Sequence, residues 1–158
     1  MNDVLATATL AVCRARGERI VTAESCTGGL VSASLTAIAG SSDVVERGFV
    51  TYSNDAKMEM LGVHAETLEA HGAVSQDVAA QMAAGALRRS NADISISVTG
   101  IAGPGGSDHK PEGRVCFGLA TSEATVSCTI EFGALGRSIV REKATDFALK
   151  ALRDKTLG

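Results

Sequence analysis

The sequence predicts an α/β fold, a three-layer α/β/α sandwich built on a mixed sheet of about five strands. Three observations predict it. Segments with helical periodicity alternate with short apolar runs typical of buried strands over residues 2–100. Two further strand-like runs are separated by only four residues, TSEA, as in a hairpin. Glycines and both prolines cluster where the segments end, and no linker interrupts them, so a single domain, 1–158, is expected.

The first part of the chain predicts alternating helices and strands. Apolar residues at spacings of three and four, such as Val31, Leu35 and Ile38, indicate a helix, whereas the short run RIVTA is typical of a buried strand. The predicted elements are, in order, a helix over 2–16, a strand over 19–23, a helix over 29–40, a strand over 44–52 and a short helix over 54–62.

The rest of the chain predicts a longer helix, three strands and a last helix. Ser75 is the natural N-cap of the helix predicted over 75–90. The run ADISISVTG alternates in polarity and ends in glycine, as a strand that leads into a functional loop would. The predicted hairpin pairs residues 113–120 with residues 125–132. The apolar face of the last helix consists of Val140, Ala144, Phe147, Ala148 and Ala151.

Composition and charge argue against several classes of protein. A net charge of −3, one tyrosine and no tryptophan do not provide the basic, aromatic surface that nucleic-acid binding needs. No apolar run is long enough to span a bilayer, and the charge order of the N-terminus is the reverse of a secretory signal. We therefore expect a cytoplasmic protein that binds neither nucleic acid nor membranes.

No pattern of metal or cofactor binding is present. The four cysteines show no C-x-x-C spacing and have no paired histidines nearby, so buried thiols are expected rather than a zinc site or a disulfide framework. The glycine-rich runs match neither the dinucleotide-binding fingerprint nor the P-loop. We expect neither a metal nor a cofactor.

Polar or glycine-rich residues follow three of the predicted strands. These tips are residues 23–25, 51–53 and 98–100. Because ligands of open α/β sheets bind beyond the carboxyl ends of the strands, the three tips form the candidate site.

The stretch TAESCTGG places Ser25 where a strand becomes a helix. Its side chain could project at the mouth of the site while the N–H groups of Thr27, Gly28 and Gly29 point into the same space, with the positive end of the helix behind them. That arrangement suits an oxyanion in acyl transfer or a bound phosphate. A structural interpretation is that Ser25 or Thr27 caps the helix and the glycines allow a tight turn.

A serine nucleophile needs a base, and Lys57 is the best candidate. It lies in the first turn of a helix directly after a strand, and Ser–Lys pairs are a known variant of the catalytic triad. A lysine acts as a base only if its neutral form is accessible, so it must be desolvated or lie near a second cation. The alternative interpretation is that Lys57 is a surface residue on a short helix. Tyr52 could relay a proton, orient the serine or only pack at the sheet edge. The histidines, expected to be exposed or capping, are His64, His71 and His109.

Cys26 is the alternative nucleophile, because a thiolate at a helix N-terminus is reactive. Adjacent residues at a strand exit point in different directions. A Ser25 that faces the mouth therefore predicts a Cys26 that faces the core.

A fifteen-residue loop, TGIAGPGGSDHKPEG, connects two predicted strands and is long enough to suggest a functional role. Its run GIAGPGG could offer backbone N–H groups to a phosphate or a carboxylate. Lys110, Arg137 and Arg141 are cations that could complete an anion site, and arginine fits phosphate better because of its bidentate fork.

Several motifs together resemble the family of the CinA C-terminal domain of competence/damage-inducible proteins. They are AESCTGG, TYSNDAK, AVSQDVAAQMAAGA, SVTGIAGPGG followed by KPEG, and a late R-x-x-V-R. The resemblance covers nearly the whole chain. It implies an α/β/α sandwich, commonly seen as an oligomer, that hydrolyses the carboxamide of nicotinamide mononucleotide to nicotinate mononucleotide and ammonia.

The resemblance also implies roles for individual residues. The family's nucleophile corresponds to Ser25, its tyrosine to Tyr52, its lysine to Lys57 and its late arginine to Arg137 or, alternatively, Arg141. The glycine-rich substrate loop corresponds to residues 99–106, with contacts expected at Thr99, Gly100, Ala102, Gly103, Gly105 and Gly106.

Two residues depart from the family's pattern. Glu112 stands in KPEG where a KPVG-like stretch is common, and Leu135 lies where an acidic residue often precedes the late arginine. A function from another class is a non-catalytic module that senses a pyridine nucleotide or mediates protein association in a competence or stress response. A third interpretation is hydrolysis of a different amide.

Overall fold

The structure is a computed structural model that describes residues 1–107 and 109–158. A long loop, residues 101–113, connects the third strand to the fourth, and a 3₁₀ turn, Ser41–Asp43, precedes the second strand. In chain order the helices and strands are α1 (Asp3–Arg16), β1 (Ile20–Glu24), α2 (Leu30–Thr36), β2 (Val45–Val50), α3 (Asn54–Leu61), α4 (Ala65–His71), α5 (Gln76–Arg88), β3 (Ile94–Gly100), β4 (Arg114–Thr121), β5 (Thr125–Glu131) and α6 (Arg137–Asp154).

The five strands form one mixed sheet in the order β2-β1-β3-β4-β5. Strand β1 is parallel to both β2 and β3, whereas β4 is antiparallel to β3 and β5. The carboxyl ends of β1, β2 and β3 therefore lie at the same edge of the sheet. This confirms the predicted mixed five-stranded sheet.

Helices cover both faces of the sheet. Helices α1, α2 and α6 pack together on one face, and α3, α4 and α5 pack on the other. Each face has its own apolar cluster; one includes Leu10 and Leu149, and the other includes Leu61 and Met82. The predicted α/β/α sandwich is confirmed.

The side chains of β1 alternate between these two clusters, although all five residues of the strand are buried. Ile20 belongs to the cluster under α1 and α6, whereas Val21 and Ala23 belong to the cluster under α3 and α5. Because side chains alternate along a strand, continuing this pattern by two residues puts Ser25 on the same side as α3.

The structure differs from the predicted elements in three places. Helix α4 has no counterpart among the predicted elements, because its seven residues bury only Leu68 and are too few to show a helical period. Helix α2 ends at Thr36, and β2 ends at Val50, so Tyr52 lies beyond the strand. The predicted cap of α5 is confirmed, since the Ser75 hydroxyl accepts a hydrogen bond from the Val78 N–H at 3.2 Å.

All four cysteines are free thiols, and three of them are buried. Over residues 1–107 and 109–158, no helix combines the length and the apolarity that crossing a bilayer would need.

Helices α3 and α5 approach closely at Gly85, where a Cβ atom would collide with the carbonyl oxygen of Leu61. Alanine favours a helix over glycine by about 1 kcal/mol. We nevertheless expect Gly85→Ala to lower the free energy of unfolding by about 2 kcal/mol, because the added methyl group forces the helices apart. Chemical denaturation measures this change. The control Ala84→Gly is expected to lose about 1 kcal/mol, and a stabilised Gly85→Ala protein would contradict the close approach.

Candidate functional site

The three predicted strand tips meet at one cavity of about 200 Å³ at the carboxyl edge of the sheet. The tip of β1 contributes Ser25, the tip of β2 contributes Tyr52, and the tip of β3 contributes Thr99 and Gly100. Residues from distant segments complete the lining, among them Lys57, Ala102 and Arg137.

Ser25 and Lys57 form a hydrogen-bonded pair in this cavity. The Lys57 Nζ atom lies 2.9 Å from the Ser25 Oγ atom and 2.9 Å from the carbonyl oxygen of Thr51. Lys57 is only 1 % exposed, and Ser25 is 8 % exposed. The amine is therefore held between the serine and one backbone carbonyl, away from water.

Helix α3 brings Lys57 to the sheet because the helix begins directly after β2. The Ser53 hydroxyl caps it by accepting a hydrogen bond from the Ala56 N–H at 3.0 Å. Lys57 lies one turn before Leu61, which belongs to the apolar cluster on this face. The lysine side chain thus shares the buried side of α3 with a core residue.

Burial lowers the pKa of the Lys57 ammonium from an ordinary value of 10.5 to about 8, because the charged form loses its hydration. Among the described residues no carboxylate lies within salt-bridge distance of Lys57 to restore that charge. At pH 7 about a tenth of such an amine is neutral and able to accept a proton.

Cys26 packs into the core, although it is also among the residues that line the cavity. It is 6 % exposed and belongs to the apolar cluster under α1 and α6. Burial raises the pKa of its thiol to about 12, so the thiolate is not accessible near neutral pH. The expectation that Cys26 faces the core is confirmed.

Glu24, the residue before Ser25, organises the turn that carries the serine. Its side chain is fully buried, and its carboxylate accepts hydrogen bonds from the N–H groups of Gly29, Val31 and Ser32 at 2.9–3.0 Å. The carboxylate therefore takes the place of a cap at the start of α2. The signal in the sequence is an acidic residue five positions before the glycine at which the helix opens.

The turn after Ser25 does not offer all of the backbone N–H groups that were expected to bind an anion. The Gly28 N–H donates to the Ser25 carbonyl at 3.0 Å, and the Gly29 N–H donates to Glu24, so neither is free for a ligand. The side chain of Thr27 is buried, and neither it nor Ser25 caps α2, whose N-cap is Gly29. Both glycines have positive φ angles, 59° and 102°, which confirms that the turn needs them.

Tyr52 lies at the rim of the cavity rather than inside it. It is 61 % exposed, and its hydroxyl accepts a hydrogen bond from the Arg137 guanidinium at 2.8 Å. Arg137 also donates to the carbonyl oxygen of Gly103 at 2.9 Å. In this structure Tyr52 does not contact the Ser25–Lys57 pair, so the expected relay or orienting contact is absent among the described residues.

The two arginines of R-x-x-V-R lie on different sides of the Ser25 turn. Arg137 lines the cavity, whereas Arg141 donates from behind the turn to the carbonyl oxygens of Cys26 and Thr27 at 3.0 and 3.1 Å. Arg141 is thus not placed at the mouth, and we assign it to supporting the turn. Lys110 is also not free to bind an anion, because its Nζ atom donates to the carbonyl oxygens of His71 and Val74.

Among the described residues of the glycine-rich loop, only those at its beginning line the cavity. Thr99, Gly100 and Ala102 line it, and the Thr99 hydroxyl donates to the carbonyl oxygen of Ala73 at 2.9 Å. Three expected contacts, Gly103, Gly105 and Gly106, lie further along the loop and outside the cavity lining. Asp108, which also belongs to the predicted loop, lies outside the described residues.

All three histidines are exposed, as expected, and none of them lines the cavity. His64 is the N-cap residue of α4. Among the described residues, no three histidine, cysteine, aspartate or glutamate side chains lie close enough together to hold a metal ion.

The hydrogen bonds of the Glu24 carboxylate are expected to contribute to the free energy of unfolding. In Glu24→Gln an amide NH₂ group replaces one of the oxygens that accept backbone N–H bonds. We expect the free energy of unfolding to fall by about 2 kcal/mol, because a bond to a buried charged acceptor is lost. Chemical denaturation provides the measurement. Glu131→Gln, which breaks an exposed ion pair with Arg114, is the control and is expected to cost less than about 1 kcal/mol. Equal stability of Glu24→Gln and the unmodified protein would rule out this role.

Several known proteins are similar to this chain in sequence. The family model of the CinA C-terminal domain matches residues 2–156. A nicotinamide-nucleotide amidohydrolase, PncC, of Escherichia coli is 52% identical over 140 residues, which are 88% of this chain and 85% of that protein. A CinA-like protein of Chloroherpeton thalassium is 51% identical over 146 residues, 89% of this chain and 34% of that protein.

Solved structures agree with the sequence comparisons. The competence/damage-inducible protein CihA from Agrobacterium tumefaciens has a TM-score of 0.91 at 48% identity, covering 95% of this chain and 92% of that one. A CinA superfamily protein from Klebsiella pneumoniae has a TM-score of 0.94 at 38% identity, covering 98% and 97%. The chain belongs to the CinA C-terminal domain family.

Proposed function

We propose that this protein is an amidohydrolase that converts nicotinamide mononucleotide to nicotinate mononucleotide and ammonia, with Ser25 as the nucleophile and Lys57 as its base. The observation that carries the proposal is the buried 2.9 Å contact between the Lys57 Nζ atom and the Ser25 Oγ atom. The name of the Escherichia coli relative, at 52% identity, supports the choice of substrate.

The proposed reaction begins with a proton transfer from Ser25 to the neutral Lys57 amine, as the serine oxygen attacks the carboxamide carbon. The hydrogen bond to the Thr51 carbonyl orients the amine for this transfer. The resulting ammonium returns the proton to the leaving nitrogen, and ammonia departs while the acyl group remains on Ser25. Water, deprotonated by Lys57, then hydrolyses the ester, which releases the carboxylic acid and regenerates the serine.

Backbone N–H groups are the proposed donors to the oxyanion of the tetrahedral intermediate. The N–H groups of Gly28 and Gly29 are engaged within the turn. We therefore assign the role to the N–H groups of Cys26 or Thr27, or to those of the loop after Gly100, which line or adjoin the cavity.

Arg137 is the proposed ligand of the substrate phosphate. It is exposed at the rim of the cavity, and among the described residues no carboxylate forms a salt bridge with it. Two other cations, Arg141 and Lys110, already donate to backbone carbonyls. Tyr52 assists by fixing the guanidinium from the rim. All of these residues come from one chain, so we propose that a single domain, 1–158, carries the whole reaction.

The nucleophile can be tested with two adjacent substitutions. We expect Ser25→Ala to lower kcat for ammonia release by at least about a thousandfold, because a serine and its base act as a unit, and Lys57→Met to do nearly the same. Cys26→Ala is the matched control; we expect its kcat to change by less than about twofold, since the buried thiol stays protonated. The assay compares nicotinamide mononucleotide, its riboside and free nicotinamide. Full turnover by Ser25→Ala would exclude this mechanism, and nucleotide binding without any turnover would favour a sensing module.

The lowered pKa of Lys57 leads us to expect that the amidohydrolase activity rises with pH. Because its folded-state pKa is lowered to about 8, the proton-accepting form becomes dominant only above that pH. We expect kcat/KM for the nucleotide to increase about tenfold per unit up to pH 8 and then to level off. Stability should follow the same direction, rising between pH 8 and 10.5, where the unfolded chain binds the proton more tightly than the folded one. A kcat/KM profile that is flat from pH 6 to 9 would contradict the role of Lys57.

A further inference from the structure

Glu112 joins two distant segments at the rim of the cavity. One of its carboxylate oxygens, Oε2, accepts a hydrogen bond from the Gly105 N–H at 2.8 Å, and the other, Oε1, accepts one from the Gly136 N–H at 3.0 Å. Gly105 belongs to the glycine-rich loop, and Gly136 is the N-cap residue of α6. A single side chain thus fixes the spacing between that loop and the start of the last helix.

The loop is shaped to receive this carboxylate. Gly103 has a φ angle of 93°, and a Cβ atom there would lie 2.5 Å from the Glu112 carboxyl carbon. Only glycine leaves room for the carboxylate at this point. The loop backbone and the Glu112 side chain are therefore packed directly against each other.

Arg137 joins the same two segments a second time. It follows Gly136 in the chain, and its guanidinium donates to the Gly103 carbonyl oxygen at 2.9 Å and to the Tyr52 hydroxyl at 2.8 Å. The position of the guanidinium consequently depends on where the start of α6 lies relative to the loop. A long side chain held in this way loses less conformational freedom when it binds a ligand.

The charge of Glu112 is balanced by backbone donors rather than by Arg137. Both carboxylate oxygens accept backbone N–H bonds, and among the described residues Glu112 and Arg137 form no salt bridge. The guanidinium therefore keeps its full charge for an anion from solution. A direct ion pair with Glu112 would instead compete with such an anion.

We infer that Glu112 is a positioning residue for Arg137 and thereby sets the selectivity for phosphorylated over unphosphorylated substrates. The inference rests on the proposed function, in which Arg137 binds the substrate phosphate. Loss of Glu112 leaves the Ser25–Lys57 pair intact but removes the two hydrogen bonds through Gly105 and Gly136, so the start of α6 and the Arg137 guanidinium are held less firmly. Binding of a nucleotide then weakens, whereas binding of the corresponding nucleoside does not.

The test measures the dissociation constants of nicotinamide mononucleotide and nicotinamide riboside by calorimetry, in a Ser25→Ala background that prevents turnover. Adding Glu112→Val is expected to weaken the binding of the nucleotide roughly tenfold, the loss typical of a hydrogen bond to a charged group, and to leave the riboside unchanged. Glu112→Gln keeps one acceptor oxygen and is expected to show an intermediate loss. The control Glu131→Val removes an exposed carboxylate from β5 and is expected to change neither constant.

Kinetics with Ser25 intact provides a second readout. Glu112→Val is expected to raise KM for the nucleotide with little change in kcat, whereas general damage to the fold would lower kcat for both substrates. Equal weakening of both ligands, or unchanged or tighter nucleotide binding, would overturn the role of Glu112. Failure of the Ser25→Ala protein itself to prefer the nucleotide over the riboside would overturn the proposed phosphate contact instead, so the two failures are distinguishable.

Discussion

The site depends on one constraint, the burial of a lysine amine without a carboxylate partner. Lys57 is 1 % exposed, and its Nζ atom contacts only an uncharged hydroxyl and a backbone carbonyl in the described hydrogen-bond network. The cost of desolvating an ammonium lowers the pKa of Lys57 and makes its neutral form accessible. This arrangement requires β1 and β2 to be adjacent and parallel, with α3 starting directly after β2, because only then do Ser25, Thr51 and Lys57 converge.

The positive end of α2 serves the protein rather than a ligand. The buried Glu24 carboxylate occupies it and, since Glu24 directly precedes Ser25, holds the serine turn against the helix. Arg141 supports the same turn from behind through two carbonyl oxygens. The Ser25 turn is thus held by a carboxylate that accepts backbone N–H bonds and a guanidinium that donates to backbone carbonyls.

The two arginines of α6 have different environments. Arg137 and Arg141 lie one turn apart on α6, yet one faces solvent at the mouth and the other packs behind the turn. Glu112 accepts hydrogen bonds from both the glycine-rich loop and the N-cap residue of α6. If the proposed function holds, the exposed rim can change without any change to the buried Ser25–Lys57 pair.

The α/β/α class, the strand tips that meet at the cavity and the core position of the Cys26 side chain could be predicted from the residues alone, because they follow from local periodicity and from strand alternation. It did not reveal α4, which is too short to show a period. Which polar groups remain free could not be predicted in this way: in the folded chain the N–H groups of Gly28 and Gly29 donate to other groups of the protein, and the Tyr52 hydroxyl accepts a hydrogen bond from Arg137. A buried polar group forms hydrogen bonds with whichever groups lie next to it in the folded chain, and many of these come from distant segments. Residue spacing alone therefore does not predict the partner.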